Sequence, residues 1–224
     1  ATTRKGLNIV RIQTMLPPPR VPSSPNPLFE AAFGPELEAG DYLIKLIKGK
    51  DTLSTKLTIN NNPDVNHSAA DRQLRRESLL KAYNLLEELA YVDYQAMEIR
   101  KQTLALADSV KNKGLRANSF KYADKMAAMH EKISATQPGE GGVAGQIRLR
   151  EKIAEVYSAI GSYEGKPTDL QLAALSVYVD AVKAMQSELD ILIKGDLANY
   201  NAGIVRAGLQ PVKVSDKATF MQSK

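Results

Sequence analysis

The chain has 224 residues, 43% of them hydrophobic, so it can bury a substantial core as one domain or two smaller ones. It contains no cysteine, which excludes disulfides, thiolate nucleophiles and cysteine-ligated zinc. Lys and Arg number 30 against 25 Asp and Glu, and the excess is divided between residues 1–66 (+2) and the remainder (+3). Because nucleic-acid binders cluster their cations beside aromatic side chains, this division predicts no nucleic-acid partner.

No apolar run reaches the roughly 18 residues that a membrane-spanning helix needs, so we expect no membrane span. The sequence begins at Ala1 rather than at Met and lacks a signal-like apolar run there. The absence of an initiator Met favours a processed or excised fragment of a longer protein.

Residues 1–62 have a β pattern that prolines interrupt. The run Gly6–Ile12 is short and β-branched, which is typical of a strand. Six prolines between residues 17 and 27 lack N–H donors, so we expect an extended, irregular loop there. Alternating apolar residues over 42–46 and 53–59 predict a β-hairpin. Three strands cannot close a sandwich, so we expect an incomplete β-sandwich of the immunoglobulin or fibronectin type III kind.

Residues 63–212 predict a helical bundle, and residues 213–224 a C-terminal tail. Apolar stripes and capping residues predict four mainly antiparallel helices, two of them longer than the others. They lie at about 68–112, 120–133, 147–160 and 168–208. At 1.5 Å per residue, the longer two would reach roughly 55–65 Å, so we expect them to project as a rod or arm. The predicted fold class is therefore α+β.

Several runs resemble the C-terminal region of bacterial BNR-repeat proteins, which are sortilin-like or glycosyl-hydrolase-like β-propeller proteins. In that family, a "GLN…W" strand and a "PG-x-Y-x-V-x-L" hairpin precede a helical tail. The matching runs are Gly6–Asn8, Gly40–Leu46, Leu57–Ile59 with Asn62–Asp64, Leu149–Tyr157, and Asp196–Pro211.

Two positions depart from the family pattern: Ile12 replaces the usual Trp, and Ala39 replaces the usual Pro. The propeller and its Asp-box repeats (S-x-D-x-G-x-T-W) are absent from this chain. The resemblance implies an exported parent, periplasmic, cell-surface or secreted, with the propeller upstream as this segment's partner. It assigns no hydrolase residue to the chain.

The sequence offers little material for catalysis or metal binding. Its two histidines are His67, in the linker, and His130, on the second helix, and no nucleophile motif accompanies either. A ferritin-like metal site needs Glu-x-x-His, but the residue three before His130 is Ala127. We therefore predict no catalytic residue, no cofactor and no metal site, and we expect His130 to be packed or at the surface.

Other polar and aromatic residues have structural interpretations. Glutamates beside Lys and Arg on polar helix faces are typical of solvated salt bridges. These are Glu87, Glu88, Glu151 and Glu155. Tyrosines on apolar stripes predict rings in the core and hydroxyls at a polar rim. These are Tyr83, Tyr94, Tyr157, Tyr178 and Tyr200.

Three functions are compatible with these observations. The first is a non-catalytic interaction segment, whose β part packs on an upstream propeller while the helical arm meets a protein partner. The second is an accessory region bordering a carbohydrate- or peptide-processing site of a glycosyl-hydrolase-like parent. The third is a free-standing helical regulator. The full-length gene would distinguish them, because upstream Asp boxes and a signal peptide favour the first two. In each case, we expect no enzymatic turnover from this chain alone.

Overall fold

A computed structural model describes residue 6, residues 8–139 and residues 146–222 of the chain. The architecture is α+β, with one two-stranded antiparallel sheet and a larger helical part. The strands are β1 (Gly40–Lys48) and β2 (Asp51–Ile59). The helices are α1 (Ala69–Ser109), α2 (Lys113–Ile133), α3 (Leu149–Gly161), α4 (Asp169–Leu192), α5 (Ala198–Arg206) and α6 (Lys217–Gln222). A π-helical segment, Ile193–Leu197, joins α4 to α5.

The predicted β-hairpin is confirmed. β1 and β2 are joined by the two-residue turn Gly49-Lys50, and Gly49 has φ +61°, a left-handed conformation that glycine adopts without strain. Leu46 pairs with Leu53 across the strands, and Tyr42 pairs with Leu57. Directly paired residues share one face of a sheet, so the alternating apolar residues of both strands lie together.

The predicted incomplete sandwich is wrong. Residues 8–12 are not part of a strand, and Leu7 of the predicted run lies outside the described residues. The nearest β contact is an isolated bridge between Met15 and Glu36, where Leu16 N donates to Pro35 O at 2.8 Å. The prolines that follow end this pairing, since they lack ladder donors. The sheet is therefore a hairpin of two strands.

The proline-rich segment packs against the helices. Pro19, Pro22 and Ala31 are buried, and Ala31 belongs to the main hydrophobic core. Gly34 is needed where this segment doubles back, because a Cβ there would overlap the backbone carbonyls of Leu16 and Pro17. The path of this segment is therefore determined by the close backbone approach at Gly34 and by its packing against the helices.

The helices form three columns rather than the predicted four-helix bundle. α1 runs the full length of the rod, and α2 returns along its second half, with His130 beside Asp93. α3 then continues along the first half of α1, where the Tyr157 ring lies 6.5 Å from that of Tyr83. α2 and α3 therefore share one column, and the stretch α4–π–α5 is the third. The four-helix expectation fails because the second and third helices lie end to end.

The third column confirms the long final helix that the caps predict. Thr168 and Gln171 form the capping box, with Gln171 N donating to Thr168 Oγ1 at 3.2 Å. Helical backbone then continues without a break through α4, the π segment and α5. The column runs parallel to α1, since Tyr200, near its end, contacts Tyr122 and Ser119 of α2.

The C-terminal segment returns along α1 and ends in α6. Gln95 Nε2 donates to Ser215 O at 2.9 Å, and the Phe220 ring lies 5.4 Å from those of Tyr91 and Tyr94. Arg20 of the proline-rich segment covers this contact, donating from Nη1 to Phe220 O at 2.8 Å. Part of the predicted tail is therefore a short docked helix.

The molecule is elongated. Its accessible surface is 14693 Å² for a mass of 24.5 kDa, whereas a compact monomer of that mass exposes about 10,000 Å². The 41 residues of α1 correspond to a rod of about 60 Å.

Candidate functional site

A buried carboxylate, Asp93, joins three parts of the chain. Its side chain on α1 is 3% exposed, and Oδ1 lies 2.6 Å from His130 Nδ1 on α2. Its other oxygen, Oδ2, accepts hydrogen bonds from Ser23 N at 3.1 Å and Ser23 Oγ at 3.4 Å. Ser134, just after α2, completes the junction by donating from Oγ to Ser23 O at 2.7 Å.

The Asp93 cluster has the residue types of a Ser-His-Asp triad but not its geometry. In a triad, the imidazole lies between the carboxylate and the hydroxyl, so that it can take the proton of the hydroxyl. Here, Asp93 lies between the other two, and Ser23 Oγ donates to the carboxylate. The arrangement therefore holds the proline-rich segment against α1 and α2 and does not activate Ser23.

A second polar cluster holds the same segment near the start of α3. Arg150 is 3% exposed, and it donates from Nη2 to Asn26 O at 3.0 Å and from Nη1 to Glu151 Oε1 at 2.7 Å. Asn26 Nδ2 donates to Gln137 O at 2.9 Å. The buried guanidinium of Arg150 is therefore paired with a carboxylate and hydrogen-bonded to a backbone carbonyl, as buried charges in proteins usually are.

The four glutamates singled out from the sequence have different surroundings. Glu87 accepts from Arg20 N at 2.6 Å, while Glu88 and Glu155 are exposed. Glu151 caps α3, accepting from Arg148 N at 3.0 Å, and its ion pair with Arg150 is largely buried. The solvated interpretation is thus wrong for Glu151, because burial of Arg150 draws its partner inward.

Of the five tyrosines singled out from the sequence, Tyr157 and Tyr200 are buried with hydrogen-bonded hydroxyls. Tyr157 donates to Phe33 O at 2.7 Å, and burial raises its pKa to about 12. Tyr83, Tyr94 and Tyr178 are half-buried. His67 makes an edge contact with Tyr163, whose ring centroid is 5.8 Å away.

Within the described part of the chain, no three His, Asp or Glu side chains are grouped as metal ligands. The same residues include no helix that is both long and apolar enough to cross a bilayer.

Several apolar side chains of the hairpin are exposed to solvent, including Leu43 and Ile47 on one face and Leu46 and Leu53 on the other. We define its apolar face by the paired, alternating residues Tyr42, Ile44, Leu46, Leu53, Leu57 and Ile59. Leu46 is 43% exposed and Leu53 is 70% exposed, while the other four side chains of this face are half-buried. In an antiparallel sheet, such a face normally packs on a core. The hairpin is therefore the best candidate for an interface.

Sequence reasoning missed Asp93, although a signal for it was present. Leu86, Leu89 and Ala96 follow a helical repeat that places Asp93 at the centre of the buried face of α1. A charged residue at a core position indicates a partnered carboxylate, since burial of an unpaired charge is too costly.

The Asp93–His130 pair predicts that stability depends on pH. The hydrogen bond with Asp93 raises the pKa of His130 above its ordinary 6.5, against the opposing effects of burial and Arg100, while Glu131 adds to the increase. A raised folded-state pKa contributes stability that is fully present below about pH 6.5 and is lost as pH rises through that pKa. We expect the denaturation midpoint to fall between about pH 6 and pH 8, and His130→Gln to flatten this dependence.

The matched control is His67→Gln, which removes the other histidine of the chain. It should leave the slope between stability and pH unchanged. Urea denaturation at a series of pH values measures both variants, and an unchanged slope in His130→Gln would contradict the role of the pair.

Comparison of the chain with protein-family models, with curated proteins and with solved structures finds no match in any of the three.

Proposed function

We propose that the chain is a non-catalytic accessory segment of a larger exported β-propeller protein. Its hairpin packs on the propeller upstream, and its helical rod presents a surface to a protein partner. The observation that carries this proposal is the exposed apolar face of the hairpin.

The hairpin has the properties of a small sheet that a further protein surface covers. Two strands alone are marginally stable in water, and each strand pairs on one side only among the described residues. Open edges and an exposed apolar face are features that proteins cover when they can. The resemblance to BNR-repeat proteins supports the propeller as the cover, because the matching hairpin of that family precedes the same kind of helical tail.

The helical rod supports the second half of the proposal. Its three columns bury their own core, yet Val177 and Ile191 on α4 are 63% and 72% exposed. These side chains belong to α4 and not to the hairpin, so the rod has exposed apolar side chains of its own. Export rests on the resemblance alone.

The test is to read the gene upstream of residue 1 and, where Asp-box repeats are found, to express that propeller separately and measure its binding to this chain. Leu46→Asp with Leu53→Asp places two carboxylates on the apolar face. We expect this pair to weaken binding at least about 100-fold, because each charge would have to be desolvated in the interface. Isothermal titration calorimetry measures the affinity.

The matched control is Thr52→Asp with Ser54→Asp. It adds the same charge to the same strand but on the opposite face, since Thr52 pairs with Ile47 and Ser54 pairs with Lys45. This pair should change the affinity by no more than a few-fold. An upstream gene without Asp boxes, or equal losses in the two pairs, would refute the proposal.

A further inference from the structure

The positive charge of the chain is concentrated at one end of the rod. Residues 100–125 contain seven Lys or Arg and two Asp, a net +5, which equals the formal net charge of the whole chain. Counting charge separately for residues 1–66 and for the remainder does not reveal this concentration, because residues 100–125 are averaged with the rest of the second part. The segment covers the end of α1 and the first part of α2. Clustered charge of one sign attracts ligands of the other sign.

A groove of about 310 Å³ lies between α2 and α5 at this basic end. Side chains one or two turns apart on each helix line it, which is the spacing that places them on one face. Its polar lining is Asn118, Lys121, Lys125, Asp196, Asn199 and Arg206.

Two stacked and buried tyrosines line the groove. The rings of Tyr122 and Tyr200 stack with centroids 5.9 Å apart and planes 6° apart, and both residues are buried. Tyr122 donates its hydroxyl to Leu192 O at 3.1 Å, and Tyr200 Oη lies 2.8 Å from Ser119 Oγ. Because both hydroxyls have partners within the protein, the cations of the lining are the principal donors for a ligand.

The π segment and a glycine shape the groove. Ile193–Leu197 precedes α5 and includes Asp196, so it alters the helical register just where the groove begins. Such π turns are frequent at functional sites. At Gly203, an added Cβ would lie 2.9 Å from Leu115 Cδ1, so the absence of a side chain there allows the two helices to approach closely.

The groove carries more positive charge than its own carboxylate neutralises. Lys125 forms an ion pair with Asp196. Among the described residues, no carboxylate lies within ion-pair distance of Lys121 or Arg206, and Arg206 uses Nε to donate to Ala202 O at 3.1 Å. Three cations and one carboxylate leave a net charge of +2. The ion pair with Asp196 therefore accounts for Lys125, whereas Lys121 and Arg206 have no carboxylate partner among the described residues.

We propose that the α2–α5 groove binds a phosphate monoester, which Lys121 and Arg206 hold by its phosphate. A monoester carries between one and a half and two negative charges at neutral pH, which matches the net charge of the groove. The arginine offers a planar pair of donors and the lysine a mobile point charge. The amides of Asn118 and Asn199 can donate to the remaining oxygens. This binding is independent of the hairpin and of any propeller.

The experiment titrates the full chain with ethyl phosphate at constant ionic strength and follows amide chemical shifts by NMR. We expect saturable shifts at residues 118–125 and 196–206, with a dissociation constant of about 1 mM. Dimethyl phosphate, a diester with a single charge, should bind at least about ten-fold more weakly.

Two sets of variants should change the affinity in opposite directions. Lys121→Ala with Arg206→Ala should weaken binding at least about ten-fold, while Asp196→Asn should tighten it about three-fold by removing the carboxylate that competes for Lys125. The control pair Lys45→Ala and Lys56→Ala removes the same charge from exposed positions on the hairpin and should change affinity less than about two-fold.

The phosphate could be carried by a soluble metabolite or by a lipid headgroup. Co-sedimentation with phosphatidylcholine vesicles containing phosphatidic acid tests the second source, and loss of it in Lys121→Ala with Arg206→Ala would assign the groove to the headgroup. Absence of binding to both ligands, or equal weakening in the control pair, would overturn the proposal. Weaker binding by Asp196→Asn would also overturn it.

Discussion

Asp93→Ala should destabilise the protein by about 3–5 kcal/mol near pH 6, where His130 is protonated in the folded state. The carboxylate is almost fully buried and accepts from groups of the proline-rich segment and α2. Its removal leaves His130 Nδ1 and the Ser23 N–H without their acceptor, and such groups cost far more unpaired than their bonds contribute when made. Chemical denaturation followed by circular dichroism measures the difference.

The control is Glu88→Ala, five residues earlier on the same helix, where the carboxylate is exposed. It should change stability by less than about 0.5 kcal/mol. A double-mutant cycle with His130→Ala isolates the coupling between the two side chains, which should diminish above the folded-state pKa of His130. A similar loss in Glu88→Ala, or no coupling in the cycle, would show that Asp93 is not a junction.

Helix positions could be predicted from sequence because the signals are local. Ser68 accepts from Asp71 N at 3.0 Å, and Thr168 begins the long third column as its capping box indicates. The second helix begins at Lys113 and not at about residue 120, for an equally local reason. Asn112 accepts from Leu115 N at 3.0 Å, so Lys113-Gly114 begins α2 rather than ending α1. An asparagine N-cap therefore begins a helix even though glycine, a poor helix former, follows two residues later.

The assembly of the helices could not be predicted, because it depends on contacts between distant residues. Whether α2 and α3 lie side by side or end to end is decided by the proline-rich segment at their junction. Ser24 Oγ donates to Ala135 O at 2.8 Å, and Arg150 donates to Asn26 O, across more than 100 residues of sequence in each case. No periodicity in either segment encodes such pairings.

The two candidate surfaces also differ in whether the sequence alone predicts them. The apolar face of the hairpin follows from period-two alternation, which the sequence shows directly. The α2–α5 groove does not, because it needs Lys121 and Arg206 to meet across two helices that the sequence alone cannot place. The concentration of charge over residues 100–125 was readable, however, and becomes visible when charge is counted along the chain in short windows.

Leu86→Ala should destabilise the protein by about 2–5 kcal/mol. Leu86 is fully buried on α1, within the cluster that also includes residues of α2, α3 and α4. Loss of its side chain removes apolar contacts and leaves a cavity that rigid helices on several sides cannot fill. Val182→Ala on α4, where the side chain is 3% exposed, should fall at the lower end of that range because fewer atoms are lost.

The control for both is Leu170→Ala, in the first turn of α4, where the side chain is 80% exposed. It should change stability by less than about 0.5 kcal/mol. Guanidinium denaturation with a constant m-value would place the loss in the folded state rather than in a more compact denatured state. A change under about 0.5 kcal/mol in Leu86→Ala would contradict its place in the core, because a fully buried leucine cannot be truncated without cost.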